Sequence, residues 1–221
     1  MRVDTGGLDR IDPDERYVLA PLHEGLVDPV LLLGLPLRLR FVVRDELLAW
    51  RHLGRYLRRS RHLVADNESS ISELRRLHRE AAAAFGSGDS LVVFPQGSVL
   101  GVEIAFRPGA FRLAERFERP LLPIVITGTH RVWEHPFSPT LRYGQKASVQ
   151  VLDPIPPDRV RAAAAGVERR MKEIALGSDT APVRRFRPEQ DGWWDNHDYE
   201  IDPAFPELQT AVAARRLDRT A

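Results

Sequence analysis

Short apolar runs, often rich in β-branched residues, alternate with amphipathic stretches along most of the chain. Runs of this length and composition predict strands, and they occupy residues 17–20, 40–43, 62–65, 91–94, 121–127 and 148–152. Strands that alternate with helices form βαβ units, which build a mostly parallel sheet with helices over its faces. We therefore expect an α/β fold in which a mostly parallel central β-sheet is covered by helices.

The stretches between these runs carry helix signals, and the clearest signal covers residues 70–85. It begins with a capping box formed by Ser70 and Glu73, and it stops at Gly86. Residues 158–176 carry a single apolar stripe of the kind that packs a helix against a core.

Chain length limits the number of hydrophobic cores. At 221 residues one core can bury the apolar positions, and linker-like composition is scarce. We expect one α/β domain with two flanking segments: an N-terminal extension over 1–16, the domain over 17–176, and a C-terminal extended wrap with a short helix over 177–221.

Several classes of protein are excluded by what the sequence lacks. No apolar run approaches the 18 residues of a membrane span, and the first 16 residues have no apolar signal-peptide core. The chain has no cysteine, which excludes disulfides, thiolate nucleophiles and thiolate zinc sites. We expect a cytoplasmic protein with no metal ion and no catalytic thiol.

The first candidate for chemistry is the pair His23 and Asp28, which follows the first predicted strand. In parallel sheets ligands bind beyond the carboxyl ends of strands, and a carboxylate that fixes one imidazole nitrogen makes the other a base. Chance predicts about 0.5 such pairs in a chain of this composition, and a second pair, His197 with Asp202, occurs in the acidic tail. The alternative is a loop histidine beside an ordinary helix N-cap, since Pro29 follows Asp28.

The second candidate is the sequence LVVFPQG over residues 91–97, in which Pro95 ends a strand and Gly97 opens a turn. Backbone amides at such a turn can bind a phosphate or a developing oxyanion. A plain strand exit is the alternative interpretation. Ser98 does not lie in a G-x-S-x-G elbow, which argues against a serine hydrolase.

A basic segment covers residues 38–61, where eight arginines face only Asp45 and Glu46. The two interpretations are a solvated helix face and a surface attracted to phosphate groups of lipid or nucleic acid.

The order of these motifs resembles one enzyme family. HEGLVDP at 23–29, FVVRDEL at 41–47, HLVADN at 62–67, FPQGS at 94–98, FRPGAFRLA at 106–114 and PLLPIVI at 120–126 are similar to the motif blocks of PlsC-type 1-acylglycerol-3-phosphate and lysophospholipid acyltransferases. The resemblance extends from residue 17 to about residue 155.

The resemblance implies O-acyl transfer from an acyl-CoA or acyl carrier protein thioester to a hydroxyl of a glycerolipid or lysophospholipid acceptor. His23 is then the general base and Asp28 its orienter, with no acyl-enzyme and no cofactor beyond the thioester co-substrate. Donors at the Gly97 turn are the candidates for the oxyanion. The implied acceptor contacts are Asn67, Phe94, Pro95, Gln96, Gly97 and Ser98.

The chain departs from the family pattern at three positions. Gln96 stands where the family has glutamate, and Asn67 and Val99 stand where it has arginines. Neither asparagine nor valine replaces the bidentate grip of arginine on phosphate, which makes an acceptor without a phosphomonoester an alternative. Arg44 and Arg107 are the candidates for phosphate or membrane contact.

The expected location is the inner face of the cell membrane. Many relatives carry an apolar N-terminal anchor, whereas only 22 residues precede His23 here. Peripheral contact would then rest on the basic segment with its apolar residues, for which a core-facing helix is the alternative. Trp193, Trp194 and Tyr199 form either a lid or a wrap.

Other functions remain as alternatives: a thioester or lipid hydrolase, and a non-catalytic lipid-binding relative. Nucleic acid is not an expected partner, because no stacking motif accompanies the basic segment.

Overall fold

The computed structural model describes residues 1–65, 71–134, 140–191 and 199–220. Seven strands form one sheet: β1 (Arg2–Gly6), β2 (Val18–Pro21), β3 (Leu39–Arg44), β4 (Leu63–Ala65), β5 (Ser90–Val92), β6 (Leu121–Thr127) and β7 (Lys146–Val151). The helices are α1 (Asp28–Leu32), α2 (Arg51–Arg59), α3 (Ile71–Gly86), α4 (Gly109–Arg116), α5 (Val160–Leu176) and α6 (Pro206–Thr220).

The sheet has the strand order β1-β7-β6-β2-β5-β3-β4. The pairs β1 with β7, β2 with β5, β2 with β6, β3 with β4 and β3 with β5 are parallel. The pair β6 with β7 is antiparallel. The predicted α/β fold with a mostly parallel sheet is therefore confirmed, and each of the six predicted strand runs contains a strand.

One strand was not predicted. Arg2–Gly6 pairs in parallel with β7 at the edge of the sheet, with Val3 opposite Ala147. Its sequence, RVDTG, is short and polar, and only Val3 packs against the core. Charged residues are typical of edge strands, and they remove the apolar alternation by which a strand is recognised. Residues 2–6 of the predicted N-terminal extension therefore form an edge strand of the sheet.

The core has one layer on each face of the sheet, because alternate residues of the strands point to opposite faces. Val18 and Ala20 of β2 pack with α3, α4 and α5, whereas Leu19 packs on the other face with Leu32 of α1. The stripe predicted on α5 packs into the first layer through Val160, Val167 and Met171. Burial on both faces explains the near-continuous apolar sequence of β6.

A C-terminal strap, defined here as residues 178–191 and 199–205, lies over the loop that follows β5. Phe186 and Ile201 of the strap form a small core with Leu100 and Ile104 of that loop and with Val212 of α6. The described residues of the strap include no named helix or strand, and α6, which follows the strap, is 15 residues long.

Charged groups also fasten the strap. Within the strap, buried Arg184 pairs with buried Asp191, with Arg184 Nη2 2.5 Å from Asp191 Oδ1. Outside the strap, Arg184 Nε lies 3.4 Å from Glu134 Oε1. Buried Lys172 on α5 lies 2.7 Å from Glu168 and 2.5 Å from Asp202. Although burial opposes its ionisation, the hydrogen bond from Lys172 lowers the pKa of Asp202. The strap is therefore held by apolar contacts and by buried ion pairs.

The predicted lid residues have different outcomes. Tyr199 packs against Phe186 with ring centroids 5.4 Å apart, so it belongs to the wrap. Trp193, Trp194 and His197 lie outside the described residues. In the part of the chain that the structure describes, no helix is long and apolar enough to span a bilayer.

Candidate functional site

The centre of the candidate site is His23, which follows β2 at its carboxyl end, with Asp28 at the start of α1. His23 Nδ1 and Asp28 Oδ2 are 2.7 Å apart. The fully buried carboxylate of Asp28 also accepts hydrogen bonds from the backbone N–H groups of Glu24, at 2.7 Å, and Gly25, at 3.0 Å. Thr129 Oγ1 donates to the other oxygen of Asp28. Four donors therefore fix the carboxylate in one orientation.

Glycine at position 25 allows this loop to close. A Cβ at Gly25 would lie 2.8 Å from the carbonyl carbon of Thr129, a distance that real Cβ contacts do not reach. The close approach of the two loops lets Thr129 reach Asp28 and completes the set of donors.

The His23 ring is held on both sides. Its Nδ1 side faces Asp28, and its face stacks on Phe94 with ring centroids 3.9 Å apart and planes 20° apart. The side chain remains 14% exposed, and it lines a cavity. When Nδ1 carries the hydrogen that Asp28 accepts, the lone pair of Nε2 is left for a substrate proton.

A second histidine–carboxylate pair lies directly beside the first. Glu24 Oε2 is 2.8 Å from His130 Nδ1, and its other oxygen accepts from the backbone N–H of Arg184. Burial raises the pKa of Glu24, and the hydrogen bond to His130 partly opposes that shift. Glu24 therefore ties the loop after β2 to the loop after β6 and to the strap. The sequence analysis missed this pair, because nothing in one sequence links residues 24 and 130.

The cavity next to His23 has a volume of about 690 Å³. Its lining extends from His23 and Phe94 to Tyr56 and His62, and most of the residues between them are apolar. These include Val30, Leu33, Val42, Leu47, Trp50, Leu53 and Leu57. The volume lies within the range of small-molecule sites, about 300–1,000 Å³. A long apolar group placed here would have its end beside His23.

His62 is a polar group within this apolar lining. Burial lowers its pKa, and the positive charge of Arg40 lowers it further. The backbone N–H of Phe41 donates to His62 Nδ1 over 3.3 Å. The ring is therefore neutral at neutral pH.

Arg44 and Arg107 bring positive charge to the cavity lining, as the sequence predicted for phosphate contact. Arg44 pairs with Glu46. Arg107 lies against Gly97: a Cβ built at Gly97 would be 3.4 Å from Arg107 Nε. Gly97 also has a φ of +73°, in the left-handed region, so the turn favours glycine at this position.

The predicted acceptor contacts divide into three groups. Phe94, Pro95 and Gly97 line the cavity. Gln96 and Ser98 are buried and are not among the described residues that line it. Asn67 lies outside the described residues.

The expected contact between Gln96 and the acceptor is therefore wrong, because both ends of the side-chain amide are engaged inside the protein. Gln96 Oε1 accepts from His23 N over 2.6 Å, and Nε2 donates to Gly101 O over 2.7 Å. The Gly97 turn remains the predicted source of donors for the oxyanion, although one of its N–H groups is already engaged. The Gly97 N–H donates to Phe94 O over 3.1 Å and closes the turn.

The basic segment, residues 38–61, is neither entirely a solvated helix face nor entirely a surface for phosphate groups. The apolar side of α2 covers the cavity through Leu53 and Leu57, while its arginines, including Arg51 and Arg55, are exposed. Arg38 and Arg40 pair with Asp89, at 3.0 and 2.5 Å. The charge available to a partner is therefore smaller than the sequence count suggests.

Part of the edge of the cavity is an exposed apolar rim. Val30 is 66% exposed, Leu33 53% and Tyr56 50%, and all three also line the cavity.

Among the described residues, no group of three or more histidine, aspartate and glutamate side chains is arranged to hold a metal ion.

Comparisons with known proteins point to one family. A family model described as Acyltransferase matches residues 2–127, more than half of the chain. The 1-acyl-sn-glycerol-3-phosphate acyltransferase of Bacillus subtilis (strain 168) is 27% identical over 127 residues, which cover 54% of this chain and 60% of that protein. The protein of the same name from Cocos nucifera is 27% identical over 114 residues, which cover 50% of this chain and 37% of that protein.

The fold is also similar to a solved structure. The crystal structure of the 1-acyl-sn-glycerophosphate acyltransferase PlsC from Thermotoga maritima aligns with a TM-score of 0.60 and 21% identity, over 78% of this chain and 72% of that chain. This likeness shows a shared fold. The chain spans 60% and 37% of the two curated relatives described above.

Proposed function

The chain belongs to the acyltransferase family, and from this premise we propose that it moves an acyl group from a thioester to a hydroxyl of a glycerolipid-type acceptor, with His23 as general base. The observation that carries the proposal is the position of His23: its ring, fixed by Asp28, stands in the lining of a large apolar cavity.

The proposed reaction needs one base and no covalent intermediate. Nε2 of His23 takes the proton of the acceptor hydroxyl as its oxygen attacks the thioester carbonyl carbon. The tetrahedral intermediate collapses with cleavage of the carbon–sulfur bond, and the imidazolium returns the proton to the leaving thiolate. Asp28 stabilises the imidazolium between these steps.

Direct transfer is supported by the composition of the lining. The chain has no cysteine. Among the described residues that line the cavity, Tyr56 is the one with a side-chain hydroxyl, and no serine or threonine occurs. Serine, threonine and cysteine, which commonly form acyl-enzymes, are therefore absent from the described lining beside His23.

The apolar cavity is the proposed site of the acyl chain. Each buried methylene contributes about 0.8 kcal/mol of transfer free energy, and the lining between His23 and Tyr56 offers mostly hydrocarbon. The thioester end would lie beside His23, with Arg44 and Arg107 available for the polar part of the acceptor or of the donor.

We assign membrane contact to the rim of the same cavity. Val30, Leu33 and Tyr56 are exposed there, and the exposed arginines of α2 lie on the same helix as Tyr56. An apolar rim with arginines suits the interface of an anionic bilayer. The chain would act peripherally at the inner face of the cell membrane and take its acceptor from the lipid.

The test is acyl transfer from long-chain acyl-CoA and from acyl carrier protein into a panel of acceptors, with His23→Ala as control. The panel sets lysophosphatidic acid beside a lysophosphodiester and a neutral glycolipid. Transfer that is lost in His23→Ala supports the proposal, and the preferred acceptor shows whether Arg44 and Arg107 hold a phosphomonoester. Thioester loss at the same rate without acceptor would instead indicate a hydrolase, and no turnover with either donor would indicate a binding protein.

A further inference from the structure

We propose that Gln96 is a positioning residue, through which the C-terminal strap sets the backbone of His23. The kinetic part of this inference rests on the proposed acyl transfer, whereas its structural part does not. Gln96 does not touch the cavity, and its effect on the reaction passes through His23.

The side chain of Gln96 connects two backbone groups that are far apart in sequence. It is 1% exposed, accepts a hydrogen bond from the His23 N–H over 2.6 Å, and donates one to the Gly101 carbonyl over 2.7 Å. A buried amide with both ends engaged has one stable orientation. The side chain of Gln96 therefore fixes the position of the His23 N–H with respect to the Gly101 carbonyl.

The strap in turn holds Gly101. The φ of Gly101 is +141°, and a Cβ there would lie 2.5 Å from Phe186 N and 2.9 Å from the carbonyl carbon of Arg185. The backbone beside it is bonded to the strap: Val102 N donates to Arg184 O over 3.0 Å, and the Arg184 guanidinium donates to Leu100 O.

A buried carboxylate adds a further attachment. Glu103, which is 2% exposed, accepts from Phe186 N over 2.8 Å. The match to the family model ends at residue 127, before the strap begins. His23, Gln96 and Gly101 lie within the matched region, whereas the strap lies beyond it.

This connection explains why glutamine serves here where the family resemblance has glutamate. Glutamine presents an acceptor to His23 N and a donor to Gly101 O. An ionised glutamate presents only acceptors, so one of its oxygens would face the Gly101 carbonyl with no hydrogen between them. A protonated glutamate has one acceptor and one donor and could replace glutamine.

The decisive variant is therefore Gln96→Glu. Its carboxyl would be buried next to a carbonyl oxygen, which raises the pKa of such a group. Below that pKa the two hydrogen bonds can form, and above it the bond to Gly101 is lost. We expect the ratio of its kcat to the wild-type kcat to stay within about twofold at low pH and to fall about tenfold as pH rises. The protonation of His23 lowers kcat in both proteins, so the ratio reports the part of the pH dependence that the new carboxyl adds.

Gln209→Glu is the matched control. Gln209 Nε2 also donates to a carbonyl, Ile201 O, over 2.9 Å, but the side chain lies on α6 and is not bonded to His23. The same change of chemistry there should leave the kcat ratio independent of pH. A loss of activity that follows pH equally in both variants would overturn the proposal, because it would show only a general effect of added charge.

Gln96→Met covers the case in which the glutamate variant unfolds. Methionine keeps the approximate volume, carries no charge and makes neither hydrogen bond. We expect a kcat lower by about tenfold at every pH, with a native-like circular dichroism spectrum. Wild-type kcat in a folded Gln96→Met protein would refute the positioning role.

An NMR measurement tests the inference without any acyl transfer. The His23 amide proton should be protected from exchange in the wild type and exchange at least about tenfold faster in Gln96→Met. In Gln96→Glu the chemical shift of the His23 amide proton should change with pH as the new carboxyl titrates. Unchanged exchange in Gln96→Met would refute the connection itself. A changed amide in a protein that transfers no acyl group would support the connection while the proposed function fails.

Discussion

Replacing Asp28 with asparagine separates the charge of the carboxylate from its hydrogen bonds. The asparagine oxygen can take the position of Oδ2, where it would still accept from His23 Nδ1 and from the N–H groups of Glu24 and Gly25. Its amide nitrogen would then face Thr129 Oγ1, and a hydroxyl can reverse its role and accept. The loop should therefore keep its structure.

The expected loss of activity in Asp28→Asn comes from the missing negative charge of the carboxylate. A carboxylate and an imidazolium with charge centres about 4 Å apart interact by about 4 kcal/mol at an effective dielectric constant of about 20. This value is suitable because Asp28 is fully buried and His23 is mostly buried. Since each 1.36 kcal/mol is about tenfold in rate, kcat should fall about 10³-fold, and the free energy of unfolding should change by less than about 1.5 kcal/mol.

The assay is single-turnover acyl transfer, accompanied by urea unfolding. Asp89→Asn is the control, because Asp89 is also a buried aspartate but pairs with Arg38 and Arg40 away from His23. It should lower stability and leave kcat within about threefold. A fall in kcat of less than about tenfold in a folded Asp28→Asn protein would show that the carboxylate does not stabilise an imidazolium.

Three further outcomes are expected. Ala65→Leu adds side-chain volume to the cavity lining, so the preferred acyl chain should become shorter by about two to four carbons, and an unchanged chain-length profile would contradict the assignment. Glu24→Gln removes a carboxyl whose pKa is raised by burial above its ordinary value of 4.5. The folded state binds the proton of Glu24 more tightly than the unfolded state does. The free energy of unfolding of the wild type therefore falls as pH rises from 4.5 to the raised pKa. In urea unfolding the stability of Glu24→Gln relative to wild type should therefore increase with pH, and a constant difference would refute the shift. The double variant Val30→Asp and Leu33→Asp should reduce sedimentation with anionic vesicles about tenfold or more while thermal stability stays unchanged, and unaltered sedimentation would place membrane contact elsewhere.

Local patterns account for the parts of the fold that could be predicted. The strands β2, β5 and β6 are buried throughout, and β3, β4 and β7 each bury at least one apolar residue. Burial on a sheet requires apolar residues, which the sequence pattern reveals. The edge strand β1 has no such requirement, because one side of its backbone is unpaired and its residues are largely exposed. The apolar periodicity of the sequence therefore did not predict β1.

In the candidate site, too, local features could be predicted and contacts between distant parts of the chain could not. His23 and Asp28 are five positions apart and follow the first predicted strand, so local sequence suggested the pair, and the family resemblance implied its role. The partner of Glu24 is 106 positions away, and the Gly101 carbonyl matters only because the strap fixes it. For Gln96, the family resemblance pointed to the acceptor, whereas the structure shows that its buried amide is bonded within the protein.

The central claim is direct transfer with His23 as base, and a rapid-quench experiment with labelled acyl thioester tests it most directly. Enzyme and thioester are mixed in equal amounts, first without and then with acceptor, for wild type and His23→Gln. The account predicts that no label becomes covalently bound to the protein, that label enters the lipid when acceptor is added, and that His23→Gln slows this step by about 10³-fold or more. Label bound covalently to the protein before acceptor is added, or transfer at the wild-type rate in His23→Gln, would contradict it.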